Sequence, residues 1–225
     1  MNPGIQNTRN KILTRVSVAR VILVIFYSVG IFGIASDSTR DLFRSLTPLA
    51  LLLSLLVIFI YHEPVNLIKE IIFFISIFAA GFLIEAIGVN TGRVFGNYSY
   101  GDGLGIKVLE TPLLIGINWV LLVWCTAVVA EKTAIPVVIK ILVSSSVMVL
   151  YDLLMEQVAP VMNMWSFDEG SVPLRNYTAW FLIAVIFHSL LKLTGIKPVS
   201  RIAPFVLFIQ ALFFIALIIF FKIAE

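Results

Sequence analysis

Three carboxylates stand where the chain is otherwise apolar. Glu85 closes the run IIFFISIFAAGFLI, and Asp152 and Glu156 lie in VLYDLLMEQVAP. A charged group inside a bilayer is costly, so one that persists there points to function. Asp152 and Glu156 are spaced i,i+4 and share a helix face. Two carboxylates on one apolar face repel when both are ionised, so such a pair is suited to hold a single proton for delivery. Their structural alternative is pairing with Arg93, Lys107 or Arg175. Aromatic residues gather near the acids in the sequence: Phe95, Tyr98 and Tyr100 after the first, Trp165 and Phe167 after the pair, with Trp119, Tyr151, Tyr177 and Trp180 on the adjoining apolar runs. They read either as an interfacial aromatic belt or as π-faces that line a tunnel for a long apolar ligand and stabilise a cation.

The elements that must position these groups are membrane spans. Of 225 residues, 60% are hydrophobic and 13% charged, against about 45–50% and about 25% in soluble domains. We read the chain as an all-α polytopic membrane protein forming one integral membrane domain over 1–225. Seven runs approach the ~20 residues that cross a ~30 Å hydrocarbon core: 16–35, 46–61, 67–87, 113–130, 135–155, 176–193 and 203–221. The second is the shortest, and its loss would invert everything after it. The polar N-terminus shows no cleavage site for a signal peptide, so the first run is expected to be retained. With seven spans, ten Lys and Arg residues fall on the N-terminal side and six on the other, which predicts a cytoplasmic N-terminus. The net charge of +3 is scattered and makes no case for nucleic acid. Cys125 is the lone cysteine, so no intramolecular disulfide is possible.

Two connections are long, 89–111 and 157–175, and both fall on the side predicted to be non-cytoplasmic. Of the acids within them, Asp168 and Glu169 are read chiefly as solvated, and Asp102 and Glu110 are open between solvation and function. The first loop leads into PLLIGINW and the second into PLRNYTAW, each with a Trp seven residues after the proline. An acid-bearing apolar run precedes each. This is a weak internal repeat relating spans three–four and five–six, and paired repeats commonly form a site at their interface. GDGLG lacks the strand and helix that a dinucleotide fingerprint requires. His62 and His188 are remote in sequence, and no metal motif is present. The spacing of Asp152 and Glu156 is that of one Asp-rich motif of intramembrane prenyltransferases, which need a second that this chain lacks.

The stretch from Glu85 to Trp180 resembles the membrane carotenoid-biosynthesis proteins that include the carotenoid 1′,2′-hydratases. The resemblance rests on Glu85-x-x-Gly88-x-x-Thr91-Gly92-x-x-Phe95-Gly96-x-Tyr98-x-Tyr100, on Pro112-Leu113 with Trp119, on Asp152-x-x-x-Glu156 with Val158-Ala159 and Trp165, and on Pro173-Leu174-x-Asn176 with Trp180. It departs from the usual pattern in two places. Glu156 precedes Gln157 where the family has Asp-Pro, and the second loop reads Trp165-Ser166-Phe167 where the family has Trp-x-Trp. The resemblance implies a family-like core over 85–180 and addition of water to the terminal C1′=C2′ double bond of an acyclic carotenoid end, without a cofactor. It implies Asp152 or Glu156 as proton donor and Glu85 as the group that orients or deprotonates water. Trp119, Trp165 and Tyr98 become cation-facing aromatics, with Phe95, Tyr100, Asn176 and Trp180 completing the substrate site. Its expected partners are a long apolar carotenoid, the bilayer of the cell (inner) membrane, and other enzymes of carotenoid biosynthesis. Two other classes of function fit the acids: a transporter or lipid-binding protein with a proton-coupling pair, and an isoprenoid isomerase or cyclase.

Overall fold

The structure, a computed structural model, describes residues 3–62 and 64–224, with side chains from residue 14. Its elements in chain order are helices α1 (Pro3–Ala35), α2 (Arg40–Ser45), α3 (Thr47–Ile60) and α4 (Leu67–Thr91), strands β1 (Tyr98–Tyr100), β2 (Lys107–Val108) and β3 (Thr111–Pro112), helices α5 (Leu113–Glu131) and α6 (Val137–Glu156), strand β4 (Trp165–Phe167), and helices α7 (Leu174–Leu193) and α8 (Ala203–Ala224). Six helices are long and apolar enough to cross a membrane. The chain is therefore an all-α polytopic membrane protein, with its few strands confined to the two long loops.

Helix α3 has 14 residues, about 21 Å at 1.5 Å per residue, short of the ~30 Å core. It nevertheless runs from one end of the bundle to the other. Its last turn leads to Tyr61, whose hydroxyl donates to the Arg15 carbonyl oxygen (3.0 Å), while Ser54 meets the Tyr27 hydroxyl at 2.6 Å. Helices α1 and α8 run parallel: Arg20 donates to the Arg201 carbonyl oxygen at one end, Tyr27 and Phe213 meet edge-on in the middle, and Arg40 lies over the Phe221 ring at the other. First and last helices pointing the same way require an odd number of traverses. The short helix supplies the seventh.

Helix α5 is the axis. Within its apolar window 83% of residues are buried, against 22–39% in the other long helices, and α3, α4, α6, α7 and α8 all pack on it. A helix that is apolar all round belongs in a core. The remaining helices keep apolar side chains outward, because lipid solvates them as well as protein does.

Local sequence starts and stops the helices around the site. Asn66 caps α4 by accepting the Lys69 N–H (3.1 Å), and Pro112 and Pro173 precede α5 and α7, where a missing N–H costs nothing. Helix α4 continues to Thr91, one turn beyond the expected 87, so Glu85 sits inside the helix rather than at its end. It stops at Gly92, whose φ of 64° favours glycine.

The two long loops dock on each other. Strand β1 pairs antiparallel with β4, setting Tyr98 opposite Phe167, Ser99 opposite Ser166 and Tyr100 opposite Trp165. The ladder is extended by Asp168 N–H to the Asn97 oxygen (3.1 Å), Gly101 N–H to the Met164 oxygen (2.9 Å) and Gly103 N–H to the Asn163 oxygen (2.7 Å). Glycine is needed for that approach, since a Cβ on Gly101 would lie 2.4 Å from the Asn163 carbonyl oxygen. Strands β2 and β3 form a hairpin whose two turn residues, Leu109 and Glu110, both have positive φ, the turn type that matches strand twist.

Candidate active site

The docked loops cover a buried polar cavity between α4, α5, α6 and α7. Its volume is about 20 Å³, enough for one water molecule. Glu85, Asp152 and Glu156 line it, with Phe95, Tyr98, Tyr100, Trp165, Asn176 and Trp180. Ile115 and Phe167 complete the wall.

Glu85, 3% exposed, accepts three hydrogen bonds. The Tyr98 and Tyr100 hydroxyls donate to Oε2, both at 2.8 Å, and the Trp119 indole N–H donates to Oε1 at 3.1 Å. Strand β1 sets the two tyrosines: alternate residues of a strand share a face, so both phenols reach one oxygen while Ser99 points away, exposed. Burial, and then the neighbouring Glu85 charge, push both phenols well above their ordinary pKa of 10.0. They are therefore held as O–H donors to this carboxylate.

Asp152 and Glu156 share one partner. The Asn176 amide donates to Asp152 Oδ2 at 2.9 Å and to Glu156 Oε1 at 3.2 Å, while the Trp165 indole N–H donates to Glu156 Oε2 at 2.9 Å. Asp152 Oδ1 is buried and has no hydrogen-bond partner among the described residues. A buried oxygen in that state favours either a proton of its own or a water in the cavity.

None of the three carboxyls forms an ion pair among the described residues. Of the basic side chains proposed as structural partners, Arg93 is exposed and the other two are used elsewhere. Lys107 pairs with Asp102 (3.1 Å) and donates to the Tyr100 carbonyl oxygen, and Arg175 donates to the Gly92 and Arg93 carbonyl oxygens. Asp102, Glu110, Asp168 and Glu169 are exposed.

The structure thus brings nine of the ten sequence-derived residues to one cavity wall. The tenth, Trp119, stands behind the wall. It is fully buried, holds Glu85 through its N–H, and stacks on Trp180 with ring centroids 4.2 Å apart and planes 19° from parallel. That stack covers one of its faces and Phe187 packs perpendicular to it, while Trp180 is the ring that lines the cavity. The two tryptophans that follow Pro112-Leu113 and Pro173-Leu174 are therefore in contact with each other.

Sequence reasoning missed the space next door. An apolar chamber of about 140 Å³ lies between α1, α3, α5, α6 and α8, and Ile115 and Trp165 line both it and the carboxyl cavity. Val29, Leu46 and Leu49 lie at its outer side, each at least 40% exposed on the apolar surface of the bundle. The local signals were two lone amides in apolar runs, Asn118 inside LLIGINWVLL and Gln210 inside FVLFIQALFF.

Neither a search of curated proteins nor one of solved structures returned a match. The model of the carotenoid biosynthesis protein family matches residues 46–224, from α3 through α8 and including every residue of the cavity. This chain belongs to the carotenoid biosynthesis protein family.

Proposed function

We propose that the protein is a carotenoid 1′,2′-hydratase, adding water across the terminal C1′=C2′ double bond of an acyclic carotenoid end to give a tertiary alcohol. The reading is carried by three buried carboxyls converging on a cavity of one-water size, beside an apolar chamber that faces lipid. Residues 85–180 supply the catalytic core and the helices around them the chamber. With the N-terminus in the cytoplasm of a cell-membrane protein, the cavity lies toward the outer face.

The carotenoid end enters the chamber from the bilayer past Val29, Leu46 and Leu49. A cavity of ~150 Å³ accommodates a six-carbon ring, so 140 Å³ suits one terminal isoprene unit while the rest of the polyene stays in lipid. The end then passes Ile115 and Trp165 to reach the carboxyls. Asp152, as the acid, gives its proton to C2′. The O–H bond breaks, the alkene π pair forms the new C–H bond, and C1′ is left as a tertiary cation with Asp152 as carboxylate. Oδ1, which no described residue engages, is the oxygen from which that proton leaves. The rings of Trp165, Trp180 and Tyr98 stabilise the cation.

Water in the cavity attacks C1′. Glu85 has three of its roughly four acceptor positions filled by Tyr98, Tyr100 and Trp119, leaving one to orient that water and take its proton. Glu85 then gives that proton to Glu156 across the shared cavity, and Glu156, held beside Asp152 by the Asn176 amide, returns it to Asp152, so that both the base and the acid are reset. Water and alkene balance the product with no change of oxidation level. Groups acting this way contribute about 10²–10⁴-fold each.

The test is expression in a lycopene-producing bacterium followed by pigment mass analysis. The expected product gains one water per acyclic end. Lycopene and γ-carotene both left unchanged would overturn the reading, and proton-driven uptake by the purified protein in liposomes would favour transport instead.

A further inference from the structure

The apolar chamber is lined by five polar side chains that the reaction at the carboxyls does not use: Tyr27, Thr47, Asn118, Tyr151 and Gln210, of which Thr47 is half-buried at the outer side between Leu46 and Leu49. Three of them satisfy one another. The Tyr151 hydroxyl donates to Gln210 Oε1 at 3.2 Å, Gln210 Nε2 donates to the Tyr27 hydroxyl oxygen at 2.9 Å, and Tyr27 meets Ser54 at 2.6 Å. Asn118 is different. It is 4% exposed and lines the chamber, yet its side-chain amide has no hydrogen-bond partner among the described residues.

A buried amide without partners is costly, and hydrocarbon cannot relieve it. The amide offers one acceptor and two donors, while an alcohol offers one donor and two acceptor positions. The two are complementary. Asn118 also stands one helical turn from Ile115, which with Trp165 is shared by the chamber and the carboxyl cavity. An oxygen on a branched end lodged in the chamber therefore finds in Asn118 a buried, unpaired partner, and that partner is close to the place where the reaction would put an alcohol.

We infer that Asn118 binds a hydroxyl carried by the isoprenoid end in the chamber, so that the site holds hydroxylated ends in preference to hydrocarbon ones. The nature of the ligand rests on the hydratase reading; the preference for oxygen rests on Asn118 alone. Under that reading Asn118 retains the product alcohol and shapes its release. It is a binding residue and takes no part in proton transfer.

The experiment is equilibrium binding of lycopene and of 1,1′-dihydroxylycopene to the purified protein in lipid nanodiscs, read by quenching of tryptophan fluorescence, which the two polyenes produce alike. Wild type is expected to bind the hydroxylated polyene about tenfold more tightly, the worth of one good hydrogen bond. Asn118→Leu, of similar volume, is expected to bind the two within about twofold, with its affinity for lycopene retained. Asn118→Val is the second variant should the first fail to fold. Equal binding of the two polyenes by wild type, or a preference that survives both substitutions, would overturn the inference. The hydratase reading fails separately: a wild type that prefers the hydroxylated polyene but converts neither lycopene nor γ-carotene sinks that reading and leaves this one standing.

Discussion

Replacing Glu85 separates the carboxyl's structural role from its chemical one. Three donors converge on it, two phenols on Oε2 and one indole on Oε1. Glu85→Leu leaves all three buried and unpaired, at about 1–3 kcal/mol each, so the loss is about 3 kcal/mol at the least. Glu85→Gln is milder for a geometric reason. An indole N–H can only donate, so the amide oxygen must face Trp119. The amide NH₂ then faces Tyr98 and Tyr100, whose hydroxyl oxygens can accept. Every group keeps a partner, and the loss is the difference between charge-assisted and neutral bonds, about 1 kcal/mol. For a chain of this size 1 kcal/mol moves the melting midpoint by about 2–4 °C. Glu85→Gln should therefore melt about 2–4 °C below wild type and Glu85→Leu at least about 6–12 °C below. Both should lose conversion by about 10²-fold or more if Glu85 handles the water's proton. Melting in detergent micelles and pigment analysis of expressing cells read the two effects. Equal melting of Glu85→Leu and wild type, or a Glu85→Gln variant as unstable as Glu85→Leu, would refute the three-donor reasoning. Full conversion by Glu85→Gln would remove Glu85 from the chemistry while leaving that reasoning intact.

Asp152→Asn keeps an oxygen to accept from Asn176 and changes an Oδ1 that has no partner among the described residues; stability should stay within about 1 kcal/mol while conversion falls by about 10²-fold or more, and a variant that still hydrates would point to Glu156 as donor. Gly101→Ala drives a Cβ to 2.4 Å from the Asn163 carbonyl oxygen, which should cost about 1–3 kcal/mol, loosen the loop over the cavity and lower conversion; wild-type melting and conversion would show that the docking of the two loops is dispensable. Tyr98 and Tyr100 have phenol pKa values raised in the folded state, first by burial and then by Glu85. The sign follows from linkage: the unfolded chain releases these protons near pH 10 and the folded one retains them, so their contribution is complete below pH 10 and is lost as pH rises above it. Melting measured between about pH 9 and 11 should fall more steeply in wild type than in Tyr98→Phe/Tyr100→Phe, and parallel curves would contradict the shift.

The class of the protein, its spans and its candidate acids were all legible along the chain, because those signals are local. An apolar run reports its own solvent, an i,i+4 spacing reports its own helix face, and a proline or capping Asn reports the start of a helix. The pairing of the two halves was half legible: the repeated Pro-Leu and Trp pointed to equivalent units, and Trp119 and Trp180 do meet. Which groups face the cavity depends instead on long-range packing. Tyr98 and Tyr100 reach Glu85 because β1 pairs with β4 across more than sixty residues of chain, and no local pattern encodes that register. Trp119 left the cavity wall for the same reason, since the stack on Trp180 turns its face away and leaves its N–H on Glu85. The chamber was not legible as a space in the sequence, where isolated amides in apolar runs were its one trace. Its walls come from five helices, each of which reads alone as ordinary membrane-spanning apolar sequence. A cavity is a property of how those surfaces fail to meet, and that exists only once they are packed.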